Sequence, residues 1–351
     1  MRSMQQVEAA AKIRRGTSRE LLGAAARGDE DAFGRLVDPY RGELEAHCYR
    51  MLGSVHDAQD VLQETLLRAW RRLGQFEGRG SLRSWLYTIA TNACLDAIKR
   101  PTRVLPVDHG DAAGFREAPG EALAEPVWIE PYADRGLDSG DGFIAPDARY
   151  ELRETVELAF VAALQHLPAR QRAALILSDV LGFSARETAT SLATTPASVN
   201  SALQRARRAV EERLPDRSQQ ATLRALGDER VRRLVNRYVD AWERGDVDAI
   251  VAMLAEDVTF SMPPVPTWYH SRAAVAAFIA EWPLSLRWRF LPALINGQLA
   301  FGTYAWDPGR GRFVAHALDV LTLRGERVAA VTAFIGSQAF ARFDLPTELK
   351  P

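Results

Sequence analysis

The chain has 351 residues, 47% of them hydrophobic and 25% charged, with a formal net charge of −1. This length predicts two or three domains, and this composition excludes a fibrous or disordered chain. No stretch is apolar enough to span a bilayer, and the first residues lack a secretion signal, so we expect a cytoplasmic protein that does not contact membranes. The two cysteines, Cys48 and Cys94, show no metal-ligand spacing, so we expect no disulfide, no metal site and no cofactor.

Hydrophobic periodicity divides the chain into five segments. Residues 1–17 are an extension without assigned structure, and residues 18–103 show helical spacing throughout. Residues 104–147 lose this spacing, gather Pro and Gly, and carry more acidic than basic side chains, which indicates an acidic linker. Residues 148–214 are helical again. Residues 215–351 begin with helices and continue with strand patterns, which predicts an α+β domain with a curved antiparallel sheet.

On the N-terminal segment, one helix predicted from Asp57 to Leu73 carries an unusual outer face. Opposite its apolar stripe lie Asp60, Gln63, Glu64, Leu67, Arg68 and Arg71. A leucine exposed among charges is typical of a partner-binding surface. An ordinary solvated face is the alternative interpretation.

The next stretch of this segment has the composition of a nucleic-acid contact. Between residues 79 and 103, five basic side chains accompany one acidic residue, Asp96; the five are Arg79, Arg83, Lys99, Arg100 and Arg103. Such a cluster predicts contact with phosphates. The interleaved stretch FEGRGSLRSWLYTIATN offers glycines for a loop and rings, Phe76 and Tyr87, for stacking on unpaired bases. Trp85 is expected in the core instead.

The stretch from Gly182 to Val210 predicts two short helices joined by a tight turn. Ser184 and Glu187 form a capping box for the first helix, and Thr195 followed by Pro196 begins the second. Outside the apolar stripe, the two helices present Arg186, Ala197, Ser198, Asn200, Ser201, Gln204, Arg205 and Arg208. Short side chains that let a helix enter the major groove, followed by arginines, predict a helix-turn-helix motif. A helical hairpin with a solvated basic face is the alternative.

Two long stretches resemble one known family. Residues 31–100, from DAFGRLVDPYRGELEAHCYRML to TNACLDAIKR, resemble region 2 of extracytoplasmic-function sigma factors, and residues 164–210, from LQHLPARQRAAL to LQRARRAV, resemble their region 4. The last third resembles the polyketide-cyclase-like (SnoaL-like), cone-shaped α+β domain that is fused to some members. The resemblance implies a sigma factor that binds core RNA polymerase, recognises the −35 and −10 promoter elements and melts promoter DNA.

The resemblance also assigns roles to the residues above. The outer face of the Asp57–Leu73 helix would grip the β′ clamp helices of the polymerase. The loop from Phe76 to Leu82, which includes Ser81, would hold a flipped base of the −10 element, with Asn92 on the adjoining helix and the nearby basic and aromatic side chains beside it. The outward face of the helix-turn-helix would read the −35 element, and the acidic linker would thread into polymerase channels. Its aromatic stretch VWIEPYAD, residues 127–134, is expected to dock on the C-terminal domain.

The C-terminal segment carries a candidate pocket. A break with a second hinge is expected at residues 215–220, followed by helices and strands. The candidate pocket residues are Phe260, Trp268, Tyr269, His270, Trp288, His316 and Asp319. Because side chains alternate along a strand, His316 and Asp319 should point to opposite faces, which argues against a catalytic dyad. We therefore expect a regulatory domain without enzymatic activity; an unidentified small ligand remains open.

Two alternatives remain for the whole chain. One is a helix-turn-helix repressor with a ligand-binding domain, which would bind duplex DNA without polymerase. The other is a bifunctional protein whose C-terminal domain has cyclase or isomerase activity that depends on His270 or Asp319.

Overall fold

The computed structural model describes five stretches of the chain: residues 19–76, 81–98, 103–123, 128–133 and 153–351. A helical N-terminal body, a second helical body and a sheet domain follow one another along the chain. This arrangement confirms the predicted class of two helical domains followed by an α+β domain.

Besides a helical segment at residues 19–26, the N-terminal body packs four helices around an apolar core. They are α1 (Glu30–Val37), α2 (Arg41–Leu52), α3 (Val55–Arg72) and α4 (Leu82–Ala97), with 3-10 turns at Asp38–Tyr40 and Leu73–Gln75. Side-chain caps set where two of these helices begin: the Ser54 hydroxyl accepts from the Asp57 amide at 3.1 Å, and the Ser81 hydroxyl accepts from the Ser84 amide at 3.0 Å. These caps fix the ends of α3 and α4, the two helices that carry the predicted polymerase and −10 residues.

The second helical body contains the helix-turn-helix. Its helices are α5 (Leu158–Gln165), α6 (Ala169–Leu175), which continues as a π-helical turn at Ile176–Val180, then α7 (Ala185–Ser191) and α8 (Pro196–Glu211). The linker before it contributes one 3-10 turn, Pro106–Asp108, among its described residues.

The C-terminal domain sets helices against one sheet. The helices are α9 (Gln219–Leu226), α10 (Asp228–Arg244), α11 (Val247–Ala252) and α12 (Arg272–Glu281), with 3-10 segments at Pro283–Ser285 and Ser337–Phe343. The strands are β1 (Leu254–Met262), β2 (Val265–His270), β3 (Trp288–Ile295), β4 (Gln298–Asp307), β5 (Arg312–Arg324), β6 (Arg327–Ile335) and β7 (Glu348–Leu349).

The sheet is antiparallel in most of its strand pairs, as the sequence predicts, and contains one parallel pair that the sequence does not indicate. The strand order is β2-β1-β6-β5-β4-β3, with β7 paired to β5. Adjacent hairpins pair antiparallel as expected, but β1 and β6 run parallel, with Phe260 opposite Val331. This pairing joins strands far apart in sequence, and turn signals between neighbouring strands carry no information about such a pair.

The expected hinge at residues 215–220 is also wrong at its C-terminal end. Ser218 caps α9, and the side chains of Gln219 and Gln220 are buried. Their backbone amides donate to the Glu157 carboxylate at 2.9 and 2.8 Å. This contact ties the start of α9 to the start of α5, so the second helical body and the C-terminal domain meet through a specific polar contact rather than a free hinge.

A continuous apolar core joins the two helical bodies to one side of the sheet. Buried side chains from the N-terminal body, the linker and the sheet, including Tyr49, Ile129 and Ile295, belong to one cluster. The opposite side of the sheet packs against α10 and α12 in a second cluster around Tyr238 and Phe278. The sheet therefore lies between the helical bodies and its own helices.

Candidate nucleic-acid interface

The helix-turn-helix has the caps that the sequence predicts. The Ser184 hydroxyl accepts from the Glu187 amide at 3.3 Å, and the Glu187 carboxylate accepts from the Ser184 amide at 2.9 Å. The Thr195 hydroxyl accepts from the Ser198 amide at 3.2 Å, with Pro196 as the first helical residue. Both helices are thus fixed at their N-terminal ends, which sets the angle of the turn between them.

The outward face of α8 is open to solvent. Val199, Leu203 and Ala206 are buried beneath it. Every residue predicted to read the −35 element is exposed: Arg186, Ser198, Asn200, Ser201, Gln204, Arg205 and Arg208. The α8 face therefore offers small polar groups at its N-terminal end and guanidinium groups one and two turns later, the chemistry that reads base edges and phosphates.

The predicted polymerase-binding face of α3 also lies on the surface. Asp60, Gln63, Leu67 and Arg71 are exposed, and Leu67 is a large apolar side chain with 42% of its area open to solvent. Glu64 and Arg68 on the same face are half-buried. The Arg68 guanidinium donates to Glu64 at 2.7 Å and to Asp96 of α4 at 3.1 Å, so this face is charged, ordered and free of any covering segment from the described part of the chain.

Most of the described residues predicted to contact the −10 element make contacts within the protein, unlike the exposed residues of α8. Arg79, Lys99 and Arg100 lie outside the described residues. Phe76 is half-buried against Trp85, with ring centroids 5.3 Å apart, and Ser81 is exposed as the cap of α4. Arg83, Tyr87 and Asn92 all lie on the side of α4 that meets the second helical body.

Contacts with the second helical body cover part of this side of α4, while Asn92 itself stays exposed. The Thr88 and Ser191 hydroxyls are 2.7 Å apart, and the Asn92 amide donates to the Ser191 carbonyl at 3.4 Å. Tyr87 is completely buried and packs edge-on against Phe183, with ring centroids 5.6 Å apart. A buried ring has no free face for a base, so in this arrangement the structure contradicts the prediction that Tyr87 stacks on DNA.

Two predicted phosphate-binding arginines are also engaged within the protein. The Arg83 guanidinium donates to Glu43 at 3.0 Å and to the carbonyl of Leu181 at 3.5 Å. Arg103 is buried and donates to Asp57 at 2.7 Å. Arg103 cannot bind phosphate where it stands, because its charge is already paired inside the fold.

The aromatic stretch of the linker docks as expected, and it docks on two bodies at once. The Trp128 indole donates to the Pro264 carbonyl at 3.0 Å, which attaches the linker to the sheet domain. The Glu130 carboxylate accepts from the Ser54 hydroxyl at 3.1 Å and from the Val55 amide at 2.9 Å. A carboxylate at the N-terminal end of α3 also complements the helix dipole.

Asn296, in the turn between β3 and β4, joins three parts of the molecule. Its side-chain amide donates to the Tyr49 hydroxyl at 2.8 Å and to the Val156 carbonyl at 2.7 Å. Its side-chain oxygen accepts from the Tyr132 amide at 2.8 Å. The side chain is fully buried, so these bonds connect the N-terminal body, the linker and the start of the second body to the sheet domain.

The C-terminal cavity contains some of the predicted residues and excludes others. Phe260, Trp288, His316 and Asp319 line a cavity of about 220 Å³. The prediction is wrong for three residues on β2, namely Trp268, Tyr269 and His270. None of the three lines the cavity, although Val265 at the start of the same strand does.

Two of these β2 residues bind the linker instead. The Trp268 indole donates to the Gly110 carbonyl at 2.8 Å, and the Tyr269 hydroxyl donates to the Glu117 carbonyl at 2.8 Å. His270 is exposed. The alternative of enzymatic activity depends on His270 or Asp319, and of these two residues only Asp319 lines the cavity.

His316 and Asp319 line the same cavity, contrary to the expectation from strand alternation. The register of β5 against β4 shifts at this point: Thr303 pairs with Ala317, whereas Tyr304 pairs with Ala315. His316 is the extra residue of a β-bulge, which breaks the alternation of side chains. Burial raises the pKa of Asp319 to about 7 and lowers the pKa of His316.

The contacts that hold the three bodies together are made by residues for which the sequence predicts no role, including Glu130 and Asn296. The Asn296-Gly297 dipeptide is a strong local signal for a two-residue hairpin turn, and it lies at such a turn between β3 and β4. No local signal indicates that this turn contacts the helical bodies.

Among the described residues, no cluster of three or more His, Cys, Asp or Glu side chains is arranged to hold a metal ion. No helix in the described ranges has the length and apolar character needed to cross a membrane.

Family models match each of the three bodies. The Sigma-70 region 2 model matches residues 36–104, the Sigma-70 region 4 model matches residues 157–210, and the SnoaL-like domain model matches residues 235–331. The fold and its surfaces thus define a two-region sigma factor with a SnoaL-like domain in the same chain.

Similarity to known proteins identifies the family within this class. The ECF RNA polymerase sigma factor SigG of Mycobacterium tuberculosis is 39% identical over 331 residues, covering 92% of this chain and 85% of the relative. SigJ of the same organism is 29% identical over 307 residues, and its crystal structure superposes with a TM-score of 0.55 at 23% identity, covering 88% of this chain and 98% of that structure. The chain belongs to the extracytoplasmic-function RNA polymerase sigma factors.

Proposed function

We propose that this protein binds core RNA polymerase in the cytoplasm through the exposed α3 face and directs it to promoters. The exposed face of α8 reads the −35 element, while the loop after Phe76 and helix α4 read and open the −10 element. The observation that carries this proposal is the α8 face, where all the residues predicted for −35 recognition are exposed together. The exposed Leu67 beside Arg71 supports polymerase binding, since a repressor has no use for such a face.

We further propose that the arrangement described above is a closed state. Asn92 and the buried Tyr87 lie against the second helical body, so that body has to leave α4 before α4 can meet DNA. The α8 face needs no such movement. The closed state therefore limits −10 recognition while leaving −35 recognition available.

The C-terminal domain and the linker stabilise this closed state. Asn296 and Glu130 make buried or half-buried hydrogen bonds to the helical bodies, and Glu157 binds the first amides of α9. Because the domain belongs to the same chain, its effective concentration is of order millimolar, and even a weak interface stays formed. Polymerase or a ligand that prefers the open form then shifts the population.

Run-off transcription with purified bacterial core polymerase and a promoter library tests this function. The full chain should co-purify with core polymerase and start transcripts at defined promoters. Binding to duplex DNA with no transcript at any promoter would instead support the repressor alternative.

A matched pair of variants tests the closed state. Asn296→Asp keeps the shape and the acceptor for Tyr132 but removes both donors, at a cost of about 1–3 kcal/mol per buried group left unpaired. Asn236→Asp changes an exposed asparagine on α10 and serves as the control. We expect Asn296→Asp to raise transcription at limiting protein by at least about fivefold. Unchanged or lower output from a folded Asn296→Asp protein contradicts the closed state.

A further inference from the structure

A separate cavity of about 260 Å³ lies where the two helical bodies meet; we call it the interbody cavity. The N-terminal body contributes the ends of α2 and α4 and one side of α3, and the second body contributes α5 and α6. The apolar part of its wall comes from the N-terminal body: Met51, Leu52, Val61, Ala97 and Ile98. The volume equals roughly nine water molecules at about 30 Å³ each, so the cavity has room for a small organic molecule that contacts both bodies.

The second body brings a buried positive charge to this cavity. Arg172 of α6 lines the wall and is 3% exposed. Its terminal nitrogens donate to the carbonyl of Met51, to the side chain of Gln165 and to the carbonyl of Leu167, which are all uncharged acceptors. Its Nε–H makes no hydrogen bond to any described residue.

The charge of Arg172 is not compensated within the described part of the chain. No described carboxylate forms an ion pair with its guanidinium, and desolvation by burial lowers the pKa of Arg172 to about 10. A buried charge without a counter-charge is costly, so an anion that reaches this guanidinium gains a strong interaction.

The other three charged groups on the wall leave this preference in place. The carboxylate of Asp57 and the guanidinium of Arg103 neutralise each other through a hydrogen bond of 2.7 Å. Asp60 is exposed on α3, where water and salt screen its charge. Because charges interact more strongly in a low-dielectric interior than at a solvated surface, the buried Arg172 favours an anion over a cation beside it.

The apolar wall decides which kind of anion fits. An inorganic anion would leave the aliphatic side chains of α2, α3 and α4 in contact with water, whereas a carboxylate attached to a ring or a short chain covers them. A single negative charge matches the single uncompensated guanidinium. The ligand chemistry that fits is therefore a small monocarboxylate with an apolar body.

We propose that the interbody cavity binds such a monocarboxylate, with the carboxylate beside the Arg172 guanidinium and the apolar body against α2, α3 and α4. Because the ligand contacts both helical bodies, it stabilises the arrangement in which they are together. Its effect on transcription rests on the proposed closed state, whereas the binding itself does not depend on promoter recognition.

Calorimetric titration of the full chain with 2-naphthoate tests the site. We expect a dissociation constant below about 1 mM, as suits a probe of this size. 2-Naphthamide, which keeps the rings and an acceptor oxygen without the charge, should bind about tenfold more weakly. Positively charged 2-naphthylmethylamine should bind more weakly still. Absence of 2-naphthoate binding, or equal affinity for 2-naphthamide, overturns the proposal.

A matched pair of exposed alanines locates the binding. Ala97, the last residue of α4, lines the cavity and is exposed, so Ala97→Phe places a ring in the cavity without burying it in the core. This variant should weaken 2-naphthoate binding by at least about tenfold, because the probe and the new ring compete for the same space. Ala225→Phe on α9 changes an exposed alanine outside the lining and should bind as the unaltered protein does. Equal affinity for the two variants overturns the proposal.

Run-off transcription separates the site from the closed state. At about ten times its dissociation constant, 2-naphthoate should raise the ratio of closed to open protein by about tenfold, so transcription at limiting protein should fall. Transcription with Ala97→Phe should respond much less, which controls for a direct effect on the polymerase. Binding of 2-naphthoate without loss of transcription would support the site and contradict the closed state.

Discussion

The two helices that resemble DNA-reading helices, α4 and α8, differ in what covers them. On α8 the predicted residues are exposed from Ser198 to Arg208. On α4, Tyr87 is buried and Asn92 is bonded to Ser191 of the second helical body. The second helical body therefore leaves the proposed −35 surface open and covers part of the proposed −10 surface. Under the proposed function, initiation could be limited at the −10 surface while the −35 surface stays available.

The largest effect should come from breaking the contact between the two helical bodies at Arg172. This buried guanidinium donates to the carbonyl of Met51 in the N-terminal body, and to Gln165 and Leu167 in its own. Arg172→Met leaves several buried acceptors without donors, so we expect the free energy of unfolding to fall by about 4 kcal/mol. Differential scanning calorimetry measures this loss. The control is Arg205→Ala on the exposed α8 face, which should leave the unfolding temperature unchanged. If both variants lowered stability equally, the buried contact at Arg172 would be no more important for stability than the exposed α8 face.

Low pH should lower the stability of the N-terminal body through His47. This fully buried side chain lies edge-on to Tyr87, and burial is the main cause that lowers the pKa of His47 to about 3. Because the unfolded chain takes up the proton first, stability is lost as the pH falls from about 6.5 toward 3. Relative to His47→Gln, the unaltered protein should lose about 3 kcal/mol of stability between pH 6.5 and pH 4 in denaturant titrations. Parallel pH profiles for the two proteins would show that His47 titrates normally.

The exposed surface should respond in DNA affinity rather than in stability. Arg205→Ala combined with Arg208→Ala should weaken binding to promoter duplex by about 2 kcal/mol, because base and phosphate contacts are lost. The slope of log affinity against log salt should fall by about 0.9 for each phosphate contact removed. Fluorescence anisotropy measures both quantities. The control is Arg232→Ala on α10, whose side chain is exposed on another domain.

The smallest effect should come from the hydroxyl pair between the bodies. Ser191→Ala removes the partner of Thr88 but leaves Thr88 bonded to the Ser84 carbonyl at 2.9 Å. The closed state should lose about 1 kcal/mol, so hydrogen exchange of the α4 amides should rise by no more than about fivefold. Thr190→Ala changes an exposed neighbouring hydroxyl and should leave exchange in α4 unaltered.

Local patterns predicted the helix-turn-helix and its exposed face well. The capping box at Ser184 and the Thr195-Pro196 start act within one helical turn, so the sequence contains everything needed to place them. The spacing of Val199 and Leu203 then decides which side of α8 is buried.

Non-local pairing explains what the sequence could not show. The cover over Tyr87 depends on Phe183, nearly a hundred residues away, and no periodicity in α4 indicates that partner. Side-chain alternation along the strand predicted the wrong face for His316, because the β-bulge there depends on how β5 pairs with β4. The Asn296-Gly297 dipeptide indicates a turn, but nothing in the local sequence indicates that this turn is buried against distant helices.

The hairpin of β3 and β4 has one end in the C-terminal cavity and the other among the helical bodies. Trp288 and Thr303 line the C-terminal cavity, while Gly297 at the turn has φ +66°, and a Cβ added there would lie 2.9 Å from the Arg153 carbonyl oxygen. The β3–β4 hairpin thus spans the sheet domain from the C-terminal cavity to the helical bodies. A displacement of β3 or β4 at this cavity would have to be accommodated at the closely packed turn, which contacts both helical bodies.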